Sequence, residues 1–300
     1  MKSDNPDTLG PAVEFRHVSI SFDEVKALRD VSFSLQPNEM LFITGASGSG
    51  KTVLLRLAMG ILRPDEGQIF VQGSDISALT ADEVLAMRSE RMGLVFQSEA
   101  LFTGMDVYDN AAYRLREHDW STDKVDKAVR EILGFVGLDK DIEKEVFELS
   151  GGMKRRLELA RAIVGWPPIM LFDEPTTGLD PINAQQVRDI VIRARDFHRM
   201  SSLYVSKTMH EITYLATHCA LADEEHRISI MEADAEHLPK TRVMVLEEGG
   251  IVFLGGHQEF CESSLPEALE LTHPRTAMAT SDIRTPDPWG NRYGSANKLL

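Results

Sequence analysis

The chain has 300 residues, 43% of them hydrophobic, and a formal net charge of −15. That suits one large or two modest globular domains, and so acidic a chain is poorly suited to nucleic acid, which needs clustered Lys and Arg to displace counterions. Two cysteines, Cys219 and Cys261, supply no disulfide framework or metal-ligand spacing, no stretch reaches the roughly 20 apolar residues that span a bilayer, and the polar opening "MKSDNPDTLGP" lacks the apolar core of a secretion signal.

Residues 12–45 read as strands. In "VSFSL", Val31, Phe33 and Leu35 alternate with polar residues, the period of a half-buried strand. "MLFIT" is continuously apolar, as in a strand buried on both faces. A glycine-rich loop follows, and then "TVLLRLAMGIL" with helical spacing. "GQIFVQG" reads as strand and turn, "ADEVLAMRSERMG" as helix, and "LVFQ" as a short strand. Residues 98–165 change character: "KVDKAVREILGFVGL" and "KRRLELARAIVG" are amphipathic and helical, which predicts a helical subdomain inserted into an α/β core. "PIMLFDEP" returns to a buried strand, "INAQQVRDIVIRARDFH" is a helix and "SLYVS" a strand. The alternation argues a mostly parallel sheet. Residues 223–242 are highly charged and interrupt two strands, "CALA" and "RVMVLEEGGIVFLGG". The end of the chain, rich in Pro, Gly, Ser, Thr and Asn, reads as a largely flexible extension over 261–300, and residues 1–11 as a flexible N-terminus.

"GASGSGKT", residues 45–52, fits G-x-x-x-x-G-K-[ST] between a buried strand and a helix. Glycines there let successive backbone N–H groups point at phosphate oxygens, and a helix N-terminus adds partial positive charge. Gly45, Ser47, Gly48, Ser49, Gly50, Lys51, Thr52 and Val53 are thus the expected nucleotide-binding residues. Lys51 is expected to reach the β- and γ-phosphates, and the Thr52 hydroxyl to bind Mg²⁺. "IMLFDE" is an apolar strand ending in two acids. Asp173 is placed to hold the Mg²⁺ shell and Glu174 to orient or deprotonate the attacking water. In "LSGGM", Ser150, Gly151 and Gly152 open a helix and offer a second anion site. Two chains arranged head to tail bring this site and residues 45–52 to one nucleotide more easily than one chain does.

Phosphate loop, Gln97, "LSGGM", "FDEP" and "GLD" occur in an order that resembles the nucleotide-binding subunit of ABC transporters, over residues 12 to about 260. The resemblance implies a P-loop NTPase (RecA-like) core with an N-terminal antiparallel β-subdomain and an inserted helical subdomain. It implies ATP and Mg²⁺ as ligands and a homodimer bound to an integral membrane permease. Phe22 would stack on adenine, or be an ordinary core aromatic. Gln97 would sense Mg²⁺ and couple to the permease. Ser150, Gly151 and Gly152 would cap the γ-phosphate held by the other protomer, and Asp180 would signal between the two sites. Residues 96–118, "FQSEALFTGMDVYDNAAYRLREH", are similar to ATPases of the MCE-associated, Mla-type lipid transporters. That implies phospholipid as cargo, an MCE-domain substrate-binding protein in the complex, and a location on the cytoplasmic face of the inner membrane. There Leu101, Phe102, Met105, Val107 and Tyr108 would form a groove for a permease helix, or serve partly as core.

One position departs from the pattern. The family's strand after the catalytic glutamate ends in a histidine; here Lys207 occupies that place. Lysine can contact a γ-phosphate as a point charge, His210 can reach in instead, or hydrolysis is impaired and the chain is a nucleotide-gated dimeric clamp. A soluble protein acting on DNA or ribosomes is a third class, against which the net charge argues. Trp289 and Tyr293 are candidate anchors on the partner protomer.

Overall fold

The structure, a computed structural model, describes residues 10–97, 100–116, 120–223 and 227–265. Trp289 and Tyr293 lie outside them. The central sheet contains β3 (Met40–Thr44), β6 (Met92–Val95), β7 (Ile169–Asp173), β8 (Ser201–Val205), β11 (Thr241–Glu247) and β12 (Gly250–Gly256). Its order is β12-β11-β3-β8-β7-β6, parallel except for β12. Every residue of β3, β7 and β8 is buried, including the polar Asp173, Ser201 and Ser202. Successive side chains feed different cores: Met40, Phe42, Met170, Phe172 and Tyr204 enter one, while Leu41, Ile43, Ile169, Leu171, Leu203 and Val205 enter the other.

The second core is closed by an antiparallel sheet of order β2-β1-β4-β5, made by β1 (Val13–Phe22), β2 (Val25–Leu35), β4 (Glu66–Val71) and β5 (Ser74–Asp75). Helices α1 (Lys51–Ala58) and α2 (Ala81–Arg91) pack there as well. The first core is covered by α3 (Val107–Arg116), α4 (Thr122–Phe135), α5 (Gly151–Ile163), α6 (Pro181–His198) and α7 (Met209–Thr217). The expected mixed architecture is therefore present.

Three local expectations need correction. The helix predicted to run through "AMGIL" stops at Ala58, because Gly60 turns left-handed at φ 65°. "RVMVLEEGGIVFLGG" is a hairpin of β11 and β12, turning at Glu248 and Gly249 with positive φ. The charged stretch after "CALA" carries a strand of its own: β9 (His218–Ala222) pairs antiparallel with β10 (Ile228–Glu232) in a separate two-stranded sheet. The acidic composition concealed β10, most of whose residues are exposed on both faces. Helix α3 also escaped the sequence reading. Asn110, fully buried on it, bonds the backbone of Phe102, Met105 and Asp106 and so folds the preceding turn.

Candidate functional site

The loop between β3 and α1 forms because its glycines do what other residues cannot. Gly45, Gly48 and Gly50 have φ of 132°, 83° and 104°. A Cβ on Gly50 would come within 2.6 Å of Ala27 O and of Leu28 Cδ2, so the position is closed sterically as well. Gly50 is the N-cap of α1 and no side chain caps that helix start, leaving its first amides open to an anion. Lys51 curls back over the loop: Nζ donates to Gly45 O at 2.8 Å and to Ala46 O at 2.7 Å. Burial holds its pKa below the ordinary lysine value.

A cavity of about 250 Å³ opens over this loop, lined by Ala27, Ser47, Gly48, Gly50, Lys51, Thr52, Val53, Gln97, Glu174 and Lys207. Ala27, from β2, is a lining residue for which the sequence offered no signal. Gly45 and Ser49 sit behind the wall and hold Lys51. A second cavity of about 200 Å³ beside it is lined in part by Thr52, Gln97 and Asp173. Thr52 Oγ1 donates to Asp173 Oδ2 at 3.1 Å, and burial raises the Asp173 carboxyl above the usual range. Thr52, Asp173 and Gln97 thus bring a hydroxyl, a carboxylate and an amide to one cavity, residue types whose hard oxygen donors fit Mg²⁺.

Glu174, at the end of β7, is 5% exposed and has φ 49°, a left-handed backbone that a non-glycine residue adopts only where its surroundings impose it. Its N–H donates to Val205 O at 3.1 Å, which ties it to β8. Three side chains converge on its carboxylate. Lys207 Nζ lies 2.7 Å from Oε1, while Thr177 Oγ1 at 3.1 Å and Gln97 Nε2 at 3.3 Å donate to Oε2. Lys207 is thus in the site, 44% exposed and paired with the acid. His210 is exposed and is not among the residues lining the cavity.

Ser150, Gly151, Gly152 and Asp180 do not line this cavity. Ser150 caps α5, its Oγ accepting from Met153 N, and Asp180 caps α6, accepting from Ile182 N and Asn183 N. The two helix starts touch. A Cβ on Gly152 would collide with the Asn183 side chain, which itself donates to Asp180 at 2.5 Å. Phe22 stands near the tip of the β1–β2 hairpin, 44% exposed, which removes the reading of it as a core aromatic.

Arg155 is a structural key that periodicity did not single out. It is buried on α5 and donates to Phe96 O, Pro175 O and Glu174 O while pairing with Glu158. One guanidinium therefore joins the helix that begins at "SGG" to the backbone just after β6 and just after β7. Its only sequence hint is the i,i+3 spacing to Glu158.

An apolar groove of about 610 Å³ lies beyond Gln97, lined by residues that include Ile61, Met92, Phe96, Phe102 and Tyr113. Of the five groove candidates, Phe102 alone lines it. Val107 is fully buried, and Leu101 and Tyr108 pack against the core.

A family model described as "ABC transporter" matches residues 28–177. The chain is 35% identical over 263 residues to "Protein TRIGALACTOSYLDIACYLGLYCEROL 3, chloroplastic" of Arabidopsis thaliana, covering 85% of this chain and 71% of that one. It is 39% identical over 188 residues to "Probable ribonucleotide transport ATP-binding protein mkl" of Mycobacterium leprae, covering 61% of this chain and only 53% of the relative. The fold is similar, at TM-score 0.66 and 22% identity over 81% of this chain and 98% of the other, to the dimeric ATP-binding cassette MJ0796 in a post-hydrolysis state with ADP and Pi.

Proposed function

Because this chain belongs to the ABC transporter family and is an ABC ATPase, we propose that it powers a lipid transporter, as a head-to-tail homodimer beneath a membrane permease. The observation that carries the reading is the convergence of Lys51, Thr52, Gln97, Glu174 and Lys207 on one cavity at the end of the parallel strands. Residues 12–260 act as the ATPase unit, with the helices of 98–165 as its inserted block.

In this reading the open amides at the start of α1 bind the phosphates, and Lys51 exchanges its loop carbonyls for β- and γ-phosphate oxygens. Thr52, Asp173 and Gln97 hold Mg²⁺, whose charge would offset that of the phosphates. Phe22 stacks on adenine. Ser150, Gly151 and Gly152 cap the γ-phosphate bound by the partner protomer, and Asp180 carries the state of one site to the other. Glu174 orients the attacking water. Lys207 answers both the γ-phosphate and Glu174, so an arriving triphosphate draws it away from the acid and leaves an acceptor free for water. Catalysis is mostly positioning and charge stabilisation.

The permease docks in the groove lined by Phe96, Phe102 and Tyr113, next to Gln97, so closure of the dimer is felt at the membrane. Among the described residues no helix is long and apolar enough to cross a membrane, in keeping with a peripheral subunit held by that permease on the cytoplasmic face of the inner membrane. Lipid as cargo draws on the Mla-like segment after Gln97 and on the lipid in the plant relative's name; an MCE-domain protein would present it. The mycobacterial relative is named for ribonucleotides, so mass spectrometry of molecules that co-purify with the complex separates the two cargoes.

One observation favours a second reading. Lys207 occupies Glu174 Oε1 at 2.7 Å, which suits a nucleotide-gated clamp that binds ATP and scarcely cleaves it. Mg-ATP turnover by the complex with its permease decides, comparing native protein with Lys207→Ala and Lys207→His. Clear native turnover that alanine lowers at least about tenfold supports the enzyme with Lys207 in the histidine's place. A nearly inert native protein that histidine awakens supports the clamp.

A further inference from the structure

Glu211 lies on the first turn of α7, four residues after Lys207, and is 2% exposed. Among the described residues it forms no ion pair with a Lys, Arg or His. A carboxylate buried without a countercharge is expensive unless hydrogen bonds replace its water. Here hydroxyls replace it. Thr176 Oγ1 and Tyr204 Oη each donate to Oε1 at 2.7 Å, and Ser206 Oγ donates to Oε2 at 2.6 Å. All three lie well inside the range of good O–H···O hydrogen bonds.

The donors come from both sides of the reacting pair. Thr176 is two residues beyond Glu174, and Ser206 immediately precedes Lys207. Strands β7 and β8 are paired as far as Asp173 and Val205, and the Glu174 N–H bond to Val205 is the last backbone tie between them. Beyond it the two loops diverge and Glu211 becomes their common anchor. Tyr204, wholly buried in β8, fixes that anchor to the sheet.

We propose that Glu211 is a positioning residue for ATP hydrolysis, a buried carboxylate that clamps the loop carrying Glu174 to the loop carrying Lys207 through the hydroxyls of Thr176 and Ser206. The clamp sets the separation at which Lys207 reaches Glu174 and, once ATP is bound, the γ-phosphate. Thr176 also opens the loop that runs to Asp180, so the same carboxylate links the partner-facing loop to Lys207. The inference rests on the roles given to Glu174 and Lys207 above.

The test is steady-state ATP turnover by the full chain with its permease. Thr176→Val and Ser206→Ala remove one hydroxyl each and leave the core filled. Each lowers kcat about tenfold, within the hundredfold that a 1 Å misplacement can cost, and leaves KM for Mg-ATP within about twofold. Glu211→Ala lowers kcat at least as much, and adding either hydroxyl variant to it costs nothing further, because the clamp is already open. Glu211→Gln stays within about threefold of native by the same contact arithmetic. Its amide oxygen still accepts from Thr176 and Tyr204, and its NH₂ donates to Ser206 Oγ, whose hydrogen turns to Thr208 O at 3.4 Å.

Unchanged kcat in both hydroxyl variants overturns the proposal, as do losses that multiply in the double variants. Glutamine as damaging as alanine also overturns it, by showing that charge rather than contact matters. Glu174→Gln is the separate control. If it keeps native turnover, the assignment of Glu174 fails, whatever the clamp variants do.

Discussion

Gly152 and Asn183 show how one missing side chain shapes the site. Gly152 carries no unusual backbone angle; what excludes a Cβ there is the Asn183 amide packed against it. Gly152→Ala should therefore behave as an overpacked contact, costing about 1–3 kcal/mol as the Asn183 side chain is forced off Asp180 or the start of α5 off that of α6. Turnover is expected to fall, and Asn183→Ala added to Gly152→Ala to recover part of it. Failure of the double variant to recover would mean that the glycine is needed for its approach to the nucleotide rather than to Asn183. Arg155 makes the opposite case, a side chain whose removal strands several partners. Arg155→Met leaves Glu158 buried without its cation and the carbonyls of Phe96, Glu174 and Pro175 short of a donor. A loss of about 3–5 kcal/mol in unfolding free energy is expected by denaturant titration.

At the scale of elements, the end of α6 is held by an aromatic stack. His198 lies flat on Trp166, 3.2 Å between ring centres and 7° from parallel, and Phe135 meets both edge-on. Burial holds the His198 pKa below its ordinary 6.5, against the pull of Glu131. The unfolded chain then takes up the proton first as pH falls. The stabilisation is fully present above the unfolded pKa and is lost as pH falls from there through the lower folded pKa. The melting temperature should decline between about pH 7 and pH 5, and less steeply in His198→Phe, which keeps the stack and removes the titrating group. Equal slopes in the two proteins would show that other histidines dominate.

For the molecule as a whole, two cores lie on either face of one sheet, the helical block closing one and the antiparallel sheet the other. Phosphate loop, Asp173, Glu174 and Lys207 all stand at the same edge of the parallel strands, the end where such sheets place their ligands. The groove past Gln97 is the surface at which we propose the permease docks. A charge there, Phe102→Glu or Tyr113→Glu, should lower recovery of the assembled complex several-fold on affinity capture of the permease. It should lower the melting temperature of the subunit only slightly, since both rings lie at the surface and lose chiefly their contact with each other. A folded subunit that still assembles fully would move the permease contact elsewhere.

The chain's own order of residues determined the phosphate loop, the acidic strand end and the capped start of α5. In each, the chemistry is carried by neighbours within about eight residues, and backbone geometry follows from the glycines, the apolar run and the capping serine. The same locality gave the class of the fold, because alternation and apolar runs report which faces are buried. What only the tertiary structure decided is which distant groups meet. Lys207 on Glu174, Arg155 on the carbonyls around it, and Glu211 between Thr176 and Ser206 join separate elements, and their spacing in sequence has no period. The charged stretch hid β10 for a related reason: only Ile230 of this short strand packs against a core, too little burial to mark it out among its charged neighbours. The departure at Lys207 was visible as a letter, and its meaning came from the 2.7 Å that separates it from the acid.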